Sequence, residues 1–159
     1  MTEHRPLTLN RHSLLHGNDP ASANGRLTRG QRVFCSPRGR RGGCGRTFSI
    51  FLADVLPGHT VSATFLWQLL RQLLAGSSVK AAAQSLPLPF GLETVYHLLA
   101  RLRRCLDAVR CRLSREQKVP DSLQSDPLLQ TIEHLQLVFA GQPCPVARFQ
   151  SFFQHPFLR

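Results

Sequence analysis

Two thiols nine positions apart, Cys35 and Cys44, bracket the stretch of this chain with the most chemistry to offer. Three arginines, three glycines and a proline lie between them, and Gly45-Arg46-Thr47-Phe48-Ser49 follows directly. Glycine and proline exclude a core helix or a central strand here, so the segment reads as a tight basic loop with its ends drawn together. Thiolates at those ends suit a zinc ion, and Gly45 permits the sharp turn that a metal knuckle needs. Structural zinc takes four ligands, so two cysteines are half a site. His12 and His16 have H-x-x-x-H spacing, which places two imidazoles on one face of a helical turn; with Cys35 and Cys44 they would make a His2Cys2 set. The competing reading is a solvated arginine–glycine loop beside two surface histidines, and Gly17 opposes a stable helix at that point.

Catalytic constellations do not emerge. The acids are Glu3, Asp19, Asp54, Glu93, Asp107, Glu116, Asp121, Asp126 and Glu133. Metal-dependent phosphodiester cleavage needs carboxylates converging on paired metal ions. Asp54 comes nearest to the required setting, without an acidic neighbour in sequence. There is no phosphate-binding glycine fingerprint, no H-E-x-x-H and no G-x-S-x-G. The chain is expected not to be an enzyme.

The elements that must carry these residues follow from pattern. Gln31–Phe34 and Thr47–Phe51 are β-favouring and predict a hairpin with a cysteine at each side of its tip. Before it, a short strand is expected near residues 7–9 and a turn over 17–25. Leu56-Pro57-Gly58 is a turn signal that ends the first module. From Ser62 to Ala75 the apolar residues Phe65, Leu66, Leu69, Leu70, Leu73 and Leu74 recur with helical period; Thr60 or Ser62 can cap this helix and Gly76 stops it. Ser77-Ser78 introduces a short alanine-centred helix over Val79–Leu86. A longer helix, opened by Gly91-Leu92-Glu93, runs to about Gln117 along a heptad-like seam of Val95, Leu99, Leu102, Leu106, Val109 and Leu113. Arg103, Asp107 and Arg110 form a ladder able to pair on its surface. Asp126-Pro127 caps a further helix to about Ala140, and a last short helix is expected near 145–154. The expected domains are a hairpin module over 1–56, a helical domain over 60–118 and a C-terminal helical extension over 125–155. The expected fold class is mainly α, with a small N-terminal β-hairpin before a helix-turn-helix-like domain.

The string Val33-Phe34-Cys35, Arg-Gly-Arg-Arg-Gly-Gly-Cys44 and Gly45-Arg46-Thr47-Phe48-Ser49 resembles the second half of the zinc ribbon at the N-terminus of bacterial insertion-sequence transposases. The likeness is specific over roughly residues 9–50 and looser over 60–118. In that family a Cys-x-x-Cys pair opens the ribbon and a helix-turn-helix region follows it. Here the first Cys-x-x-Cys and the catalytic domain are absent, which implies a truncated form. The resemblance makes zinc the implied cofactor, with Cys35 and Cys44 among its ligands.

Charge points to the same class of partner. The 159-residue chain has net charge +11, with 20 Lys and Arg against 9 Asp and Glu. It is unevenly placed: nine cations oppose two anions over residues 1–50, two oppose two over 51–100, and nine oppose five over 101–159. All but Lys80 and Lys118 are arginine, whose planar fork suits phosphates and guanine edges. DNA is therefore the expected partner. Arg38, Arg40, Arg41 and Arg46 would meet phosphates from the loop. The helix beginning at Glu93 would offer Thr94, Tyr96 and His97 to base edges, steadied on the backbone by Arg101 and Arg104, with Lys80 on the preceding helix. The rival reading is a helical interaction or oligomerisation protein, or a transposase remnant with no specific target; in it the 95–113 seam pairs a second copy as a homodimer. No membrane segment is expected, since Gln68 and Arg71 interrupt the richest apolar run, and the N-terminus lacks a signal-like apolar stretch. The expected location is cytoplasmic.

Overall fold

The computed structural model describes residues 9–18, 25–37, 43–87 and 90–158. The chain divides into two compact units, Met1–Leu52 and Ala53–Arg159. The first unit is a three-stranded antiparallel sheet in the order β1-β2-β3, with β1 over Leu9–Asn18, β2 over Arg26–Cys35 and β3 over Thr47–Phe51. Register places Leu9 opposite Cys35, Leu14 opposite Gln31 and Gln31 opposite Ile50. Irregularities between Arg11 and Ser13, and between Leu15 and His16, shift the β1–β2 pairing. Paired residues share a face, so Leu9, Leu14 and Ile50 lie on one side and Leu15, Leu27 and Phe51 on the other. Each side carries exposed apolar side chains, while Val33 and Cys35 are buried. Gly30 is obligatory in its place, because a Cβ there would lie 2.2 Å from the Ile50 carbonyl oxygen.

The second unit holds five helices: α1 Ala63–Leu74, α2 Val79–Gln84, α3 Leu92–Glu116, α4 Pro127–Val138 and α5 Pro145–Phe153. Their starts are set by side chains that take up amides the helix cannot satisfy itself. Ser62 Oγ accepts from the Phe65 amide, Ser78 Oγ from Ala81 and Asp126 Oδ1 from Leu128. Gly76, at φ +89°, ends the turn that closes α1. The amphipathic faces converge on one core. Leu66, Leu69 and Leu70 of α1, the whole α3 seam, Leu128, Ile132 and Leu135 of α4, and Val146 and Phe149 of α5 are all buried in it. α3 packs on α2 and α4, and α1 packs on α2, α4 and α5. Trp67 is buried with them.

Two polar groups tie the loops to this core. Gln150 on α5 donates from Nε2 to the carbonyls of Ala53 (2.7 Å) and Val55 (3.0 Å), and its Oε1 accepts from the Phe157 amide. His134 on α4 is buried and its Nε2 lies 3.0 Å from the Gln117 carbonyl. A carbonyl only accepts, so that nitrogen carries the proton. The imidazole thereby fixes the end of α3.

The expectation of a mainly α chain with a small hairpin is overturned. The chain is mixed α/β, with a three-stranded antiparallel sheet and five helices among the described residues. The difference lies in β1, ten residues over Leu9–Asn18 where only a short strand near 7–9 was expected, residues 7 and 8 lying outside the described residues. Its sequence, Leu-Asn-Arg-His-Ser-Leu-Leu-His-Gly-Asn, has no period-two alternation because the sheet exposes both faces and the pairing is irregular at two points. Strand recognition depends on one buried face, and this sheet lacks one. Among the described residues no helix is long and apolar enough to cross a membrane.

Candidate nucleic-acid interface

α3 organises the candidate interface. It has 25 residues and so spans about 37 Å. Val95, Leu98, Leu99, Leu102, Leu106, Val109 and Leu113 are buried on one side. At 100° per residue the side opposite centres on Glu93, Ala100, Arg104 and Cys111, with His97, Asp107, Ala108 and Arg115 beside them and Arg101 and Arg112 towards one flank. Glu93, Thr94, Tyr96, His97, Arg101 and Arg104 are all exposed. Glu93 and His97, one turn apart, approach to 3.6 Å and remain largely solvent-accessible. Among the described residues Arg101 and Arg104 have neither an ion-pair nor a hydrogen-bond partner. Arg103 is committed elsewhere: its guanidinium donates to Asp126 Oδ2 at 2.6 Å. It thus binds α3 to the cap of α4, in place of the Arg103–Asp107–Arg110 ladder the spacing suggested. Lys80 is exposed near the start of α2.

A groove of about 390 Å³ runs along one flank of α3, between it and the turn that precedes α1. His59, Thr60, Thr94, His97, Arg101 and Arg104 supply its polar lining, over a floor that includes Val61 and Leu98. None of its lining residues is acidic. His59 and Thr60 were not anticipated. They lie more than thirty positions from Thr94 in sequence and reach it through tertiary packing, so no spacing rule could have found them.

The seam that could have paired a second copy is consumed inside the chain. Val95, Leu102 and Leu113 have no measurable exposure, and α4 and α2 cover that side of α3.

In the first unit the two cysteines do come together. The Cys44 amide donates to Cys35 Sγ at 3.3 Å, the Cys35 amide to the Arg46 carbonyl at 2.9 Å, and the Gly45 amide to the Cys35 carbonyl at 3.0 Å. Gly45 adopts φ +69°, as a knuckle turn requires. Cys35 is buried and Cys44 exposed. The histidines do not join them. His12 and His16 lie in β1, not on a helical turn, and His16 pairs with Thr28 while Leu9 pairs with Cys35. That separation of seven strand residues puts His16 about 20 Å from Cys35, whereas ligands of one zinc ion lie within about 4 Å of each other; His12, at the irregularity beside Val33, lies nearer. Among the described residues no group of three or more His, Cys, Asp or Glu converges as a metal site would require. Arg38, Arg40 and Arg41 lie outside the described residues; Arg46 is exposed at the hairpin's return.

Two further acids make structural contacts. Asp54 Oδ1 accepts from the Thr64 amide and hydroxyl, both at 2.7 Å, at the start of α1. Glu133 accepts from Ser122. Burial pushes the Cys144 thiol above its ordinary range, against the pull of the Ala147 amide and the Thr64 hydroxyl, and the Asp54 charge pushes it the same way. A thiol so placed is a poor nucleophile.

No family model, curated protein or solved structure matches this chain significantly.

Proposed function

We propose that the chain is a DNA-binding module in which α3 is the reading element, with no nuclease activity of its own. One observation carries this reading. α3 buries its entire apolar seam in the helical core, and over its first turns the surface it leaves to solvent bears the unpaired Arg101 and Arg104 amid hydroxyl, imidazole and phenol groups and the Glu93 carboxylate. Such a face combines the phosphate-neutralising and base-edge-contacting groups that duplex recognition uses. α1, α2 and α3 supply the order of a helix-turn-helix, in which the third element enters the major groove by its N-terminal turns. Of the acids, Asp54, Asp126 and Glu133 are engaged in helix starts and loop contacts.

The resemblance to transposase zinc ribbons supports the same class of partner for the first unit. There Cys35 and Cys44 would supply two zinc ligands, the others coming from outside the described residues or from a second chain. Zinc per chain in protein purified without added metal, beside a Cys35→Ser, Cys44→Ser variant, tests that part separately.

The test of the main reading is a map of the contact surface. The isotope-labelled chain titrated with a mixed-sequence duplex should show amide shifts concentrated over residues 92–104. Shifts confined to the first unit, or spread evenly over all arginines, would refute the assignment of α3.

A further inference from the structure

We infer that the groove between the Gly58–Val61 turn and α3 seats a single phosphate group of the DNA backbone. The inference rests on the DNA-binding reading and changes its division of labour. Thr94, His97, Arg101 and Arg104 line one flank of α3 together with His59 and Thr60. The groove thus brings two guanidinium groups, two imidazoles and two hydroxyls to one concavity that has no acidic residue in its lining. Arg101 and Arg104 are unpaired among the described residues, and so are the Thr60 and Thr94 hydroxyls. Guanidinium forks and hydroxyl donors around one cavity match the oxygens of a phosphodiester. Helix-end amides are not the source of the site. Those opening α1 are already taken, Ala63 by the Asp54 carbonyl, Thr64 by the Asp54 carboxylate and Phe65 by Ser62. The anion would be held by side chains from two segments far apart in sequence, so it can bind only when the turn is packed on α3.

The consequence is that Thr94 and His97 position the helix and do not read sequence. Glu93 and Tyr96 are exposed and do not line the groove, although Glu93 borders it, its Oε1 lying 3.6 Å from His97 Nε2. They are left to face base edges.

The experiment measures affinity of the full chain for a labelled duplex as salt is varied, for the native protein and for Arg104→Ala, Thr60→Val and Tyr96→Ala. Each lost phosphate contact should lower the slope of log affinity against log salt by about 0.9. Arg104→Ala should therefore show that fall together with roughly tenfold weaker binding, the size expected for one charge-assisted hydrogen bond. Thr60→Val should weaken binding several-fold, and Tyr96→Ala should leave the slope unchanged. A phosphate arm fixes the chemistry: inorganic phosphate, against chloride at equal ionic strength, should shift the amides of residues 59–61 and 94–104 in the native protein and less in Arg104→Ala. A third arm, vesicles of phosphatidylserine and phosphatidylcholine, separates a lipid headgroup from a nucleic-acid phosphate; capture by vesicles that duplex DNA fails to displace would overturn the proposal. All three variants are at exposed positions, and an unchanged thermal midpoint checks that they fold. Native slope and affinity in both Arg104→Ala and Thr60→Val would overturn the groove and leave the wider DNA-binding reading standing. Absence of any duplex footprint on α3 would overturn both.

Discussion

Gln150 provides the sharpest test of how the helical unit holds together. Its side chain is nearly buried on α5 and makes three hydrogen bonds to backbone, two to the segment before α1 and one to the C-terminal tail. Replacing it with leucine keeps most of the volume and removes every bond. The Phe157 amide and the Val55 carbonyl would then be left within the packed region, each at a cost of about 1–3 kcal/mol. Ala53 is exposed, so its carbonyl can turn to water and costs less, about 0.5 kcal/mol. The expected loss is about 3 kcal/mol. For a domain near 100 residues each kcal/mol moves the midpoint by about 4–8 °C, so Gln150→Leu should lower it by about 12 °C or more. Urea unfolding of the full chain, followed by Trp67 fluorescence, measures the loss within the correct unit. Gln150→Glu adds a check on mechanism. A carboxylate can accept from Phe157 but cannot donate to two carbonyls, so its folded form favours the proton. Stability should be recovered in part as pH falls and lost as pH rises through its folded titration. A loss below about 1 kcal/mol in Gln150→Leu, or a Gln150→Glu variant insensitive to acid, would refute the clamp.

Further expectations follow from single contacts. Asp126→Ala removes the cap of α4 and the partner of Arg103, and should cost about 1–2.5 kcal/mol; Asp126→Asn keeps a capping oxygen and should cost under about 1 kcal/mol, and equal losses in the two would contradict a dominant capping role. Cys144 should alkylate more slowly than the exposed Cys111 at neutral pH, because burial disfavours its thiolate; mass spectrometry of partially labelled protein reads the order, and faster reaction at Cys144 would contradict it. Because its folded thiol holds its proton to higher pH than the unfolded thiol does, Cys144 should also cost the protein stability in alkali, relative to Cys144→Ser, as pH rises above the ordinary thiol range.

The helices were legible because local signals in the sequence, caps, apolar periodicity and stops, match their bounds. α1 begins at the Ser62 cap, carries the expected leucine stripe and stops before Gly76. α3 follows the seam from Val95 to Leu113 and ends one residue short of the expected boundary. α4 starts behind Asp126-Pro127 as capping chemistry dictates. β1 was not legible, since no face of it is buried and its histidines mimic a helical spacing. The Arg103 ladder was misread for a related reason. Spacing along one helix identifies neighbours on that helix, and the stronger partner, Asp126, arrives from another. The groove was invisible for the same cause, with His59 and Thr60 carried to α3 by packing alone. Part of the candidate site, Arg38, Arg40 and Arg41, lies outside the described residues.

The central claim is that the N-terminal turns of α3 read DNA sequence. Selection of bound duplexes from a random library by the full chain tests it most directly, repeated with a Glu93→Ala, Tyr96→Ala variant. The account predicts that the native protein enriches a defined motif, and that the variant loses the motif while binding mixed DNA within about threefold of native, as befits the removal of base contacts alone. Enrichment of no motif by the native protein, or of the same motif by the variant, would contradict it.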